Sequence, residues 1–167
     1  MIYSSLTERL KNQHKTIASI IMKLNNERIQ TRPARGKWNI HENIAHLAKY
    51  QPVFIDRIRR ILATEEPSFE VYKAEEDPEF EFYRAFTTYE LLKKISSDRE
   101  KIYNLIDHLP ADKLDRIGVH PKFGRLTISD WVEFFLLHEA HHLFTIFQIA
   151  HSPKAVIKQQ VQTPDAS

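Results

Sequence analysis

The sequence contains no cysteine. This absence excludes disulfide bonds, a cysteine nucleophile and zinc sites built from thiolates. Any metal ion must therefore be held by nitrogen and oxygen atoms, and nine histidines are available for that purpose. The positions of these histidines on the predicted helices are the most informative feature of the chain.

Long apolar runs are also missing. No stretch of about 18 consecutive apolar residues occurs, so we expect no membrane-spanning segment. The N-terminal residues lack the basic-then-apolar order of a signal peptide, and a cytoplasmic location is the default expectation. The formal net charge is only +2. The main basic run, at 57–60, is typical of a solvated helix face, so we expect no nucleic-acid partner. The missing apolar run likewise predicts no membrane partner.

Glycine is scarce, and its three positions divide the chain. Gly36, Gly118 and Gly124 lie between segments with helical apolar periodicity. The remaining segments run over about 5–29, 40–63, 88–109 and 128–150, and none shows sustained strand alternation. The fold class is therefore all-α. A four-helix bundle in one domain, residues 1–153, followed by a polar tail, residues 154–167, is the simplest arrangement.

Each predicted helix begins with a capping pattern. In this pattern a side-chain oxygen accepts a first-turn N–H, and a carboxylate three residues later reaches back. The four pairs are Ser5 with Glu8, Asn39 with Glu42, Thr87 with Glu90, and Thr127 with Asp130. Pro52 interrupts the second helix and removes a backbone donor, so we expect a kink there.

Two further segments point to interfaces. The fourth helix is apolar nearly all round, which indicates either the central helix or a face that packs on another subunit. The connection 64–86 is acidic and aromatic, and a loop of this length is usually functional or disordered. Its aromatic side chains favour a lid or a dimer contact, and a mobile surface loop is an equal alternative.

The string LLHEAHHLF contains two histidines at helical spacing. His138 and His142 are four residues apart, about 40° around a helix, so their imidazoles project from one face. His141 is an alternative partner for His138, although imidazoles at positions i and i+4 converge better. The string also satisfies HExxH, but the downstream ligand and the sheet of such metalloproteases are not visible.

His46 supplies a third imidazole from the second helix. It lies among Ile44, Ala45 and Leu47, which places it at or near the core face. A lone core histidine is more often structural than a ligand, but three on the inward faces of two helices favour a metal site. His46, His138 and His142 are therefore our predicted ligands.

The remaining candidates have less specific signals. Glu42 lies four residues before His46, hence on the same face, and its place in the capping pattern favours a cap over a ligand or base. Polar or terminal surroundings predict that the other histidines are surface or cap residues, namely His14, His41, His108, His120 and His151.

Two stretches together resemble the DinB superfamily. In KWNIHENIAHLAKYQ, Trp38, Glu42 and His46 match the W-x3-E-x3-H opening of that family's second helix. In GRLTISDWVEFFLLHEAHHLFTI, a glycine, a threonine-led helix start, Trp131 and the pair His138 and His142 follow in the family's order. The agreement in segment lengths extends over about residues 5 to 150.

The resemblance implies an up-down-down-up four-helix bundle that holds one divalent ion, nickel or zinc, through three histidines. Because homodimers are common in that family, it also favours a homodimer, and the expected partner is a small-molecule substrate. Members resemble metal-dependent hydrolases that use a metal-activated water, and some are thiol S-transferases that use bacillithiol or a similar low-molecular-weight thiol. A non-catalytic metal-binding bundle is the third alternative. The general base stays open between Glu42 and His141.

Overall fold

The computed structural model describes residues 2–152. The predicted tail at 154–167 and the first and last residues of the predicted domain lie outside these residues. The helices are α1 (Ser4–Asn12), α2 (Thr16–Ile21), α3 (Asn26–Gln30), α4 (Ile40–Ala63), α5 (Pro78–Arg84), α6 (Thr88–Asp107), α7 (Ala111–Leu114) and α8 (Ile128–His151). Two short strands, β1 (Ile117–His120) and β2 (Gly124–Thr127), precede α8.

Four helical segments form the bundle: α1 with α2, then α4, α6 and α8. The helices α4 and α6 are parallel, since His41 meets Thr88 near both N-termini and Gln51 meets Arg99 two to three turns further along each. The helices α1 and α8 also run in parallel. In contrast, α4 and α8 are antiparallel, so that Phe54 packs on Phe135 and Asn43 meets His142. This is the up-down-down-up bundle, and the predicted fold class is confirmed.

Three of the four predicted capping boxes are present. Asn39, Thr87 and Thr127 each accept the backbone N–H three residues later, and the acidic side chain there accepts from the backbone of the cap. The first box is wrong. Helix α1 begins one residue before Ser5, and its N-cap, Tyr3, makes no side-chain capping bond.

The first bundle segment is shorter and more broken than the predicted helix 5–29. A turn of 3₁₀-helix at Gln13–Lys15 separates α1 from α2, and α3 is a separate helix capped by Asn25. At the break, the Gln13 side chain donates to the Leu136 carbonyl oxygen and to Glu139 across the bundle. These contacts give the Gln13 side chain its hydrogen-bond partners on α8, and apolar periodicity in the sequence cannot predict them. By contrast, α4 continues through Pro52.

A buried ion pair joins the four bundle segments. The Arg99 guanidinium pairs with the Glu139 carboxylate on α8, and both side chains are almost fully buried. Arg99 also donates to the Leu10 carbonyl oxygen on α1 and to the Gln51 side-chain oxygen on α4. Protein atoms thus provide the hydrogen-bond acceptors for the buried Arg99 guanidinium.

The strands β1 and β2 form an antiparallel hairpin that the sequence analysis missed. Each strand has four residues, too few to show clear alternation. Gly118 is required here, because a Cβ at this position would lie 2.6 Å from Ile61 Cδ1 and 2.9 Å from Phe69 Cε2. The Trp131 indole N–H also donates to the Gly118 carbonyl oxygen at 3.3 Å. The hairpin therefore packs closely on the bundle.

Three of the histidines predicted to be surface or cap residues are buried instead. His14 faces the core beside Arg99, and His120 accepts the backbone N–H groups of Lys122 and Phe123. The His41 ring bonds Thr88 Oγ1 and the Arg84 carbonyl oxygen, each at 3.0 Å. Polar neighbours in sequence did not reveal these tertiary partners. His108 and His151 are exposed, as predicted.

Helix α8 is both central and partly uncovered. One side carries Trp131, Phe135 and Ile146 into the core, whereas Leu137, Phe144 and Phe147 are exposed. The buried side fits a central helix, and the exposed apolar side fits a face that packs on another subunit. The homodimer stays a prediction. Between residues 2 and 152, no helix has the length and apolar character that crossing a membrane requires.

Candidate metal centre

The antiparallel packing of α4 and α8 brings His46, His138 and His142 together. One ring nitrogen of each histidine lies within 4.8 Å of those of the other two. His138 and His142 share a face because they are one turn apart on α8. His46 comes from α4, and its ring contacts the rings of Tyr50 and Phe80. The structure thus brings together the three predicted ligands.

The nitrogen geometry fits a shared cation. His46 Nε2 and His138 Nε2 face each other at 3.0 Å. Two imidazole nitrogens on a tetrahedral zinc ion, each bonded at 2.0–2.1 Å, would be about 3.3 Å apart. The Nδ1 atoms of both rings are buried and have no hydrogen-bond partner among residues 2–152. At this distance the two Nε2 atoms either share one proton as a hydrogen bond or, when both are unprotonated, can bind one cation between them.

The surroundings keep all three imidazoles neutral. Burial, with the neighbouring His142 and His138, lowers the pKa of His46 to about 2. Burial also lowers the pKa of His138 to about 4, with contributions from His141 and Arg57, and that of His142 to about 3, with contributions from His138 and His141. A histidine must be neutral at the binding nitrogen to hold a metal ion. No ligand therefore has to lose a proton at neutral pH.

Asn43 is a polar neighbour that the sequence analysis did not single out. Its Oδ1 lies 2.8 Å from His142 Nδ1, and its Nδ2 donates to the Asn39 carbonyl oxygen at 2.8 Å. In the sequence, its position three residues before His46 places it on the same face of α4, which is a sign that it lies near the site. Periodicity could not show that its partner would come from α8.

Aromatic rings enclose the three imidazoles. Trp38 lies 5.2 Å from the His46 ring and 6.1 Å from the His142 ring, centroid to centroid. Tyr50 lies 4.4 Å from the His138 ring. Tyr72, at 5.8 Å, also stacks on His46. These rings exclude water from one side of the cluster.

Residues 64–86 contribute directly to this enclosure. Tyr72 and Phe80 contact the His46 ring, and Phe69, Phe80 and Tyr83 are buried. The segment includes a 3₁₀ turn at Ala74–Glu76 and helix α5, so a structureless surface loop is not what the structure shows. The proposals of a lid and of a dimer contact stay predictions.

A cavity opens beside His142. Its volume is about 490 Å³, and its walls include Lys37, Trp38, Glu75, His141, His142 and Thr145. This volume lies within the usual range for small-molecule sites, about 300–1,000 Å³. The cluster is therefore enclosed by aromatic rings on one side, and on the other side one of its members, His142, lines the cavity.

Glu42 and His141 occupy different positions relative to the cluster. Glu42 caps α4, and its buried carboxylate pairs with Arg32 and Arg84. Burial raises the pKa of this carboxyl, but the bonds from Arg32 and Asn39 outweigh it and hold the pKa below its usual range. The cap prediction for Glu42 is confirmed. His141 is exposed, with its ring 5.3 Å from that of His142, and lies outside the three-nitrogen cluster.

The fold and the cluster define a class: an up-down-down-up four-helix bundle with three histidines positioned where they could hold a metal ion. The model of the DinB superfamily matches residues 9–146, most of the chain. The chain belongs to the DinB superfamily.

Individual relatives are distant but cover most of the chain. An uncharacterised protein of Bacillus subtilis, YuaE, is 25% identical over an alignment of 138 positions that covers 75% of this chain and 85% of the relative. A protein of Oceanobacillus iheyensis that is provisionally named a metal-dependent hydrolase is 24% identical over 127 residues, 76% of this chain and 73% of the relative.

A solved structure supports the fold. YfiT from Bacillus subtilis, described as a probable metal-dependent hydrolase with an unusual four-helix bundle topology, superposes with a TM-score of 0.74. The match has 16% sequence identity and covers 87% of this chain and 84% of YfiT. At this identity the similarity concerns the fold.

Proposed function

We propose that the protein is a metal-dependent hydrolase whose single divalent ion is held by His46, His138 and His142. The observation that supports this most directly is the convergence of three neutral imidazoles beside a cavity of about 490 Å³. Distant relatives named for metal-dependent hydrolysis are consistent with the proposal.

The donor set favours a catalytic site over a closed structural one. Structural zinc sites have four protein ligands, whereas catalytic sites have three and keep a position open. Within residues 2–152 the cluster contains three candidate ligand residues, without a fourth histidine or carboxylate. Three neutral ligands also leave the charge of the ion uncompensated. When bound, the ion would supply Lewis acidity and lower the pKa of a coordinated water toward about 7.

The chain's own residues then bind the substrate and move protons. Trp38 forms an apolar wall of the cavity next to His142, and Lys37 and Glu75 add one charge of each sign to its lining. His141 faces the same cavity and is our candidate for proton transfer, because imidazole is the side chain most often used for that role. The Glu42 carboxylate is less suited as a base, since Arg32, Arg84 and the Asn39 backbone N–H occupy its oxygens and lower its pKa.

Three nitrogen ligands are compatible with zinc and with nickel, because imidazole suits both metals. We infer zinc or nickel as the resident ion and a small molecule with a hydrolysable carbonyl or phosphoryl group as the substrate.

Metal analysis tests the site directly. Protein purified without a nickel column should contain about one divalent ion per chain, and His46→Ala should lose it, because a buried ligand is removed. His108→Ala, an exposed histidine elsewhere, is the matched control and should retain the ion. Undiminished metal content in His46→Ala would contradict the proposed ligand set.

Activity tests the reaction separately. A panel of carboxylic and phosphoric esters and amides should reveal hydrolysis that a chelator abolishes and that zinc or nickel restores. His141→Ala should lower kcat by about 10²-fold or more if it transfers the proton, while leaving metal content unchanged. Hydrolysis that survives complete metal removal would exclude the proposed reaction.

A further inference from the structure

Asn43 links a helix cap to one of the three histidines. It lies in the first turn of α4 and is 2% exposed. On one side its amide faces the carbonyl oxygen of Asn39, the residue that caps α4. On the other side the amide faces His142 Nδ1 from α8, at 2.8 Å. A single side chain thus joins the beginning of α4 to the cluster.

The two contacts determine which way the amide is oriented. A backbone carbonyl oxygen can only accept a hydrogen bond, so the amide atom that faces Asn39 must be the donating Nδ2. The atom that faces His142 is therefore the accepting Oδ1. Because Oδ1 only accepts, the proton between the two side chains belongs to His142 Nδ1. In a neutral ring this leaves His142 Nε2 with its lone pair free.

The other two imidazoles lack this constraint. In the part of the chain that the structure describes, the Nδ1 atoms of His46 and His138 are buried without a hydrogen-bond partner. Their protons are free to sit on either nitrogen, including the Nε2 atoms that face each other at 3.0 Å. Of the three rings, His142 is the one whose tautomer is set by a neighbouring group.

We propose that Asn43 is a positioning residue that holds His142 as the Nδ1-protonated tautomer and presents its Nε2 to the metal ion. The inference rests on the metal site proposed above. A partner at the outer nitrogen also fixes the orientation of the ring, and such partners typically contribute 10–100-fold to metal affinity. Asn43 thereby favours His142 over His141, which is exposed, as the second ligand of α8.

The tautomer is measured without metal or substrate. Long-range proton–nitrogen NMR spectra of the unaltered metal-free protein at pH 7 distinguish a protonated ring nitrogen from an unprotonated one. His142 should show a protonated Nδ1 and an unprotonated Nε2. A protonated Nε2 on His142 would overturn the proposal, whether or not any variant folds.

Metal affinity then tests the consequence. Asn43→Leu removes the acceptor at similar volume and should weaken zinc binding about 10–100-fold. Asn43→Asp keeps an acceptor toward His142 but loses the donor toward the Asn39 carbonyl oxygen, so it should bind zinc more tightly than Asn43→Leu does. An Asn43→Leu variant that folds and binds zinc with unchanged affinity would also overturn the proposal.

Gln51→Leu is the matched control. Gln51 is another buried amide on α4, and its side-chain oxygen accepts from Arg99 rather than from a histidine. Its loss should reduce stability while leaving zinc affinity unchanged. An equal loss of affinity in Gln51→Leu would mean that any damage to α4 weakens the site, which contradicts a specific role for Asn43.

These measurements separate the inference from the proposed function. A protein that binds zinc but hydrolyses no ester or amide contradicts the hydrolase assignment, while the tautomer and the affinity series still decide the role of Asn43. Loss of metal in His46→Ala tests the ligand set without altering Asn43.

Discussion

At the scale of single residues, the buried histidines differ in the groups that surround each ring. His46, His138 and His142 converge where α4 and α8 cross, and burial keeps their pKa values low. His14 is buried as well, but it lies beside Arg99 rather than beside other imidazoles. The three clustered histidines are suited to metal binding. His14 has no such neighbours, and we expect it to affect the free energy of unfolding instead.

We predict that His14 makes the protein less stable in acid. Burial and the charges of Arg99 and Lys15 lower the pKa of His14 to about 4. In the unfolded chain a histidine titrates near pH 6.5, so between about pH 6.5 and pH 4 the unfolded state binds a proton that the folded state does not. The free energy of unfolding therefore falls as the pH drops through this window, and above it the effect is absent.

His14→Leu should reduce this pH dependence. The difference in unfolding free energy between pH 7 and pH 5 should shrink by about 2 kcal/mol relative to that of the unaltered protein. Urea denaturation of the metal-free proteins at both pH values measures it. His108→Leu, which changes an exposed histidine, should leave the difference intact. Equal pH dependence in the His14 variant and the parent would refute this explanation.

At the scale of elements, the helix starts show what a local pattern does and does not predict. Three boxes form because an oxygen outside the helix meets the free N–H groups of the first turn. Around Ser5 the helix has already begun, and the Glu8 carboxylate accepts instead from the Asn12 side chain one turn later. The same spacing therefore has a capping role only where the chain enters the helix.

The caps can be compared directly. Thr127→Ala should lower the free energy of unfolding by about 1 kcal/mol, because an N–H of the first turn of α8 loses its partner. Ser5→Ala, at the box that does not form, should change it by less than about 0.5 kcal/mol. Chemical denaturation of the two variants provides the measurement. Equal losses would show that the Thr127 hydroxyl has no specific capping effect.

For the whole molecule, Arg99 is a point at which the four bundle segments meet. It contacts Leu10, Gln51 and Glu139, and it extends from α6. Burying a charged pair is costly, so such a pair is weak evidence of net stabilisation. Removing one member of the pair is strongly destabilising, because the other charge is then buried without its partner.

We expect Glu139→Leu to destabilise the metal-free protein by about 3–5 kcal/mol, since Arg99 loses its counter-ion. The double variant Arg99→Met with Glu139→Leu should recover most of this loss, because no uncompensated charge remains. Glu66→Gln, which breaks an exposed pair with Arg125, should cost less than about 1 kcal/mol. Denaturation curves measure all three, and a double variant less stable than Glu139→Leu would contradict this view of the pair.

The sequence alone was enough to predict the features whose signals are local. Helical periodicity predicted α4 and the extent of α6 and α8 closely, because each has a continuous apolar stripe and a capping box. Spacing on one face, together with the family resemblance, selected His142 as the partner of His138, and apolar neighbours pointed to His46. The parallel direction of α4 and α6 came from the family resemblance rather than from any periodicity.

Only the tertiary structure decided which groups meet across the bundle. It brought Asn43 to His142, Tyr72 to His46 and Arg99 to Glu139, pairs separated by 99, 26 and 40 residues along the chain. It also broke the first helix at Gln13, where bonds to α8 replace the regular helical pattern. Periodicity describes the face of one helix, whereas these pairings depend on how separate faces align when they pack. The three histidines could thus be selected from the sequence, but their low pKa values and the orientation of His142 arise from the folded bundle.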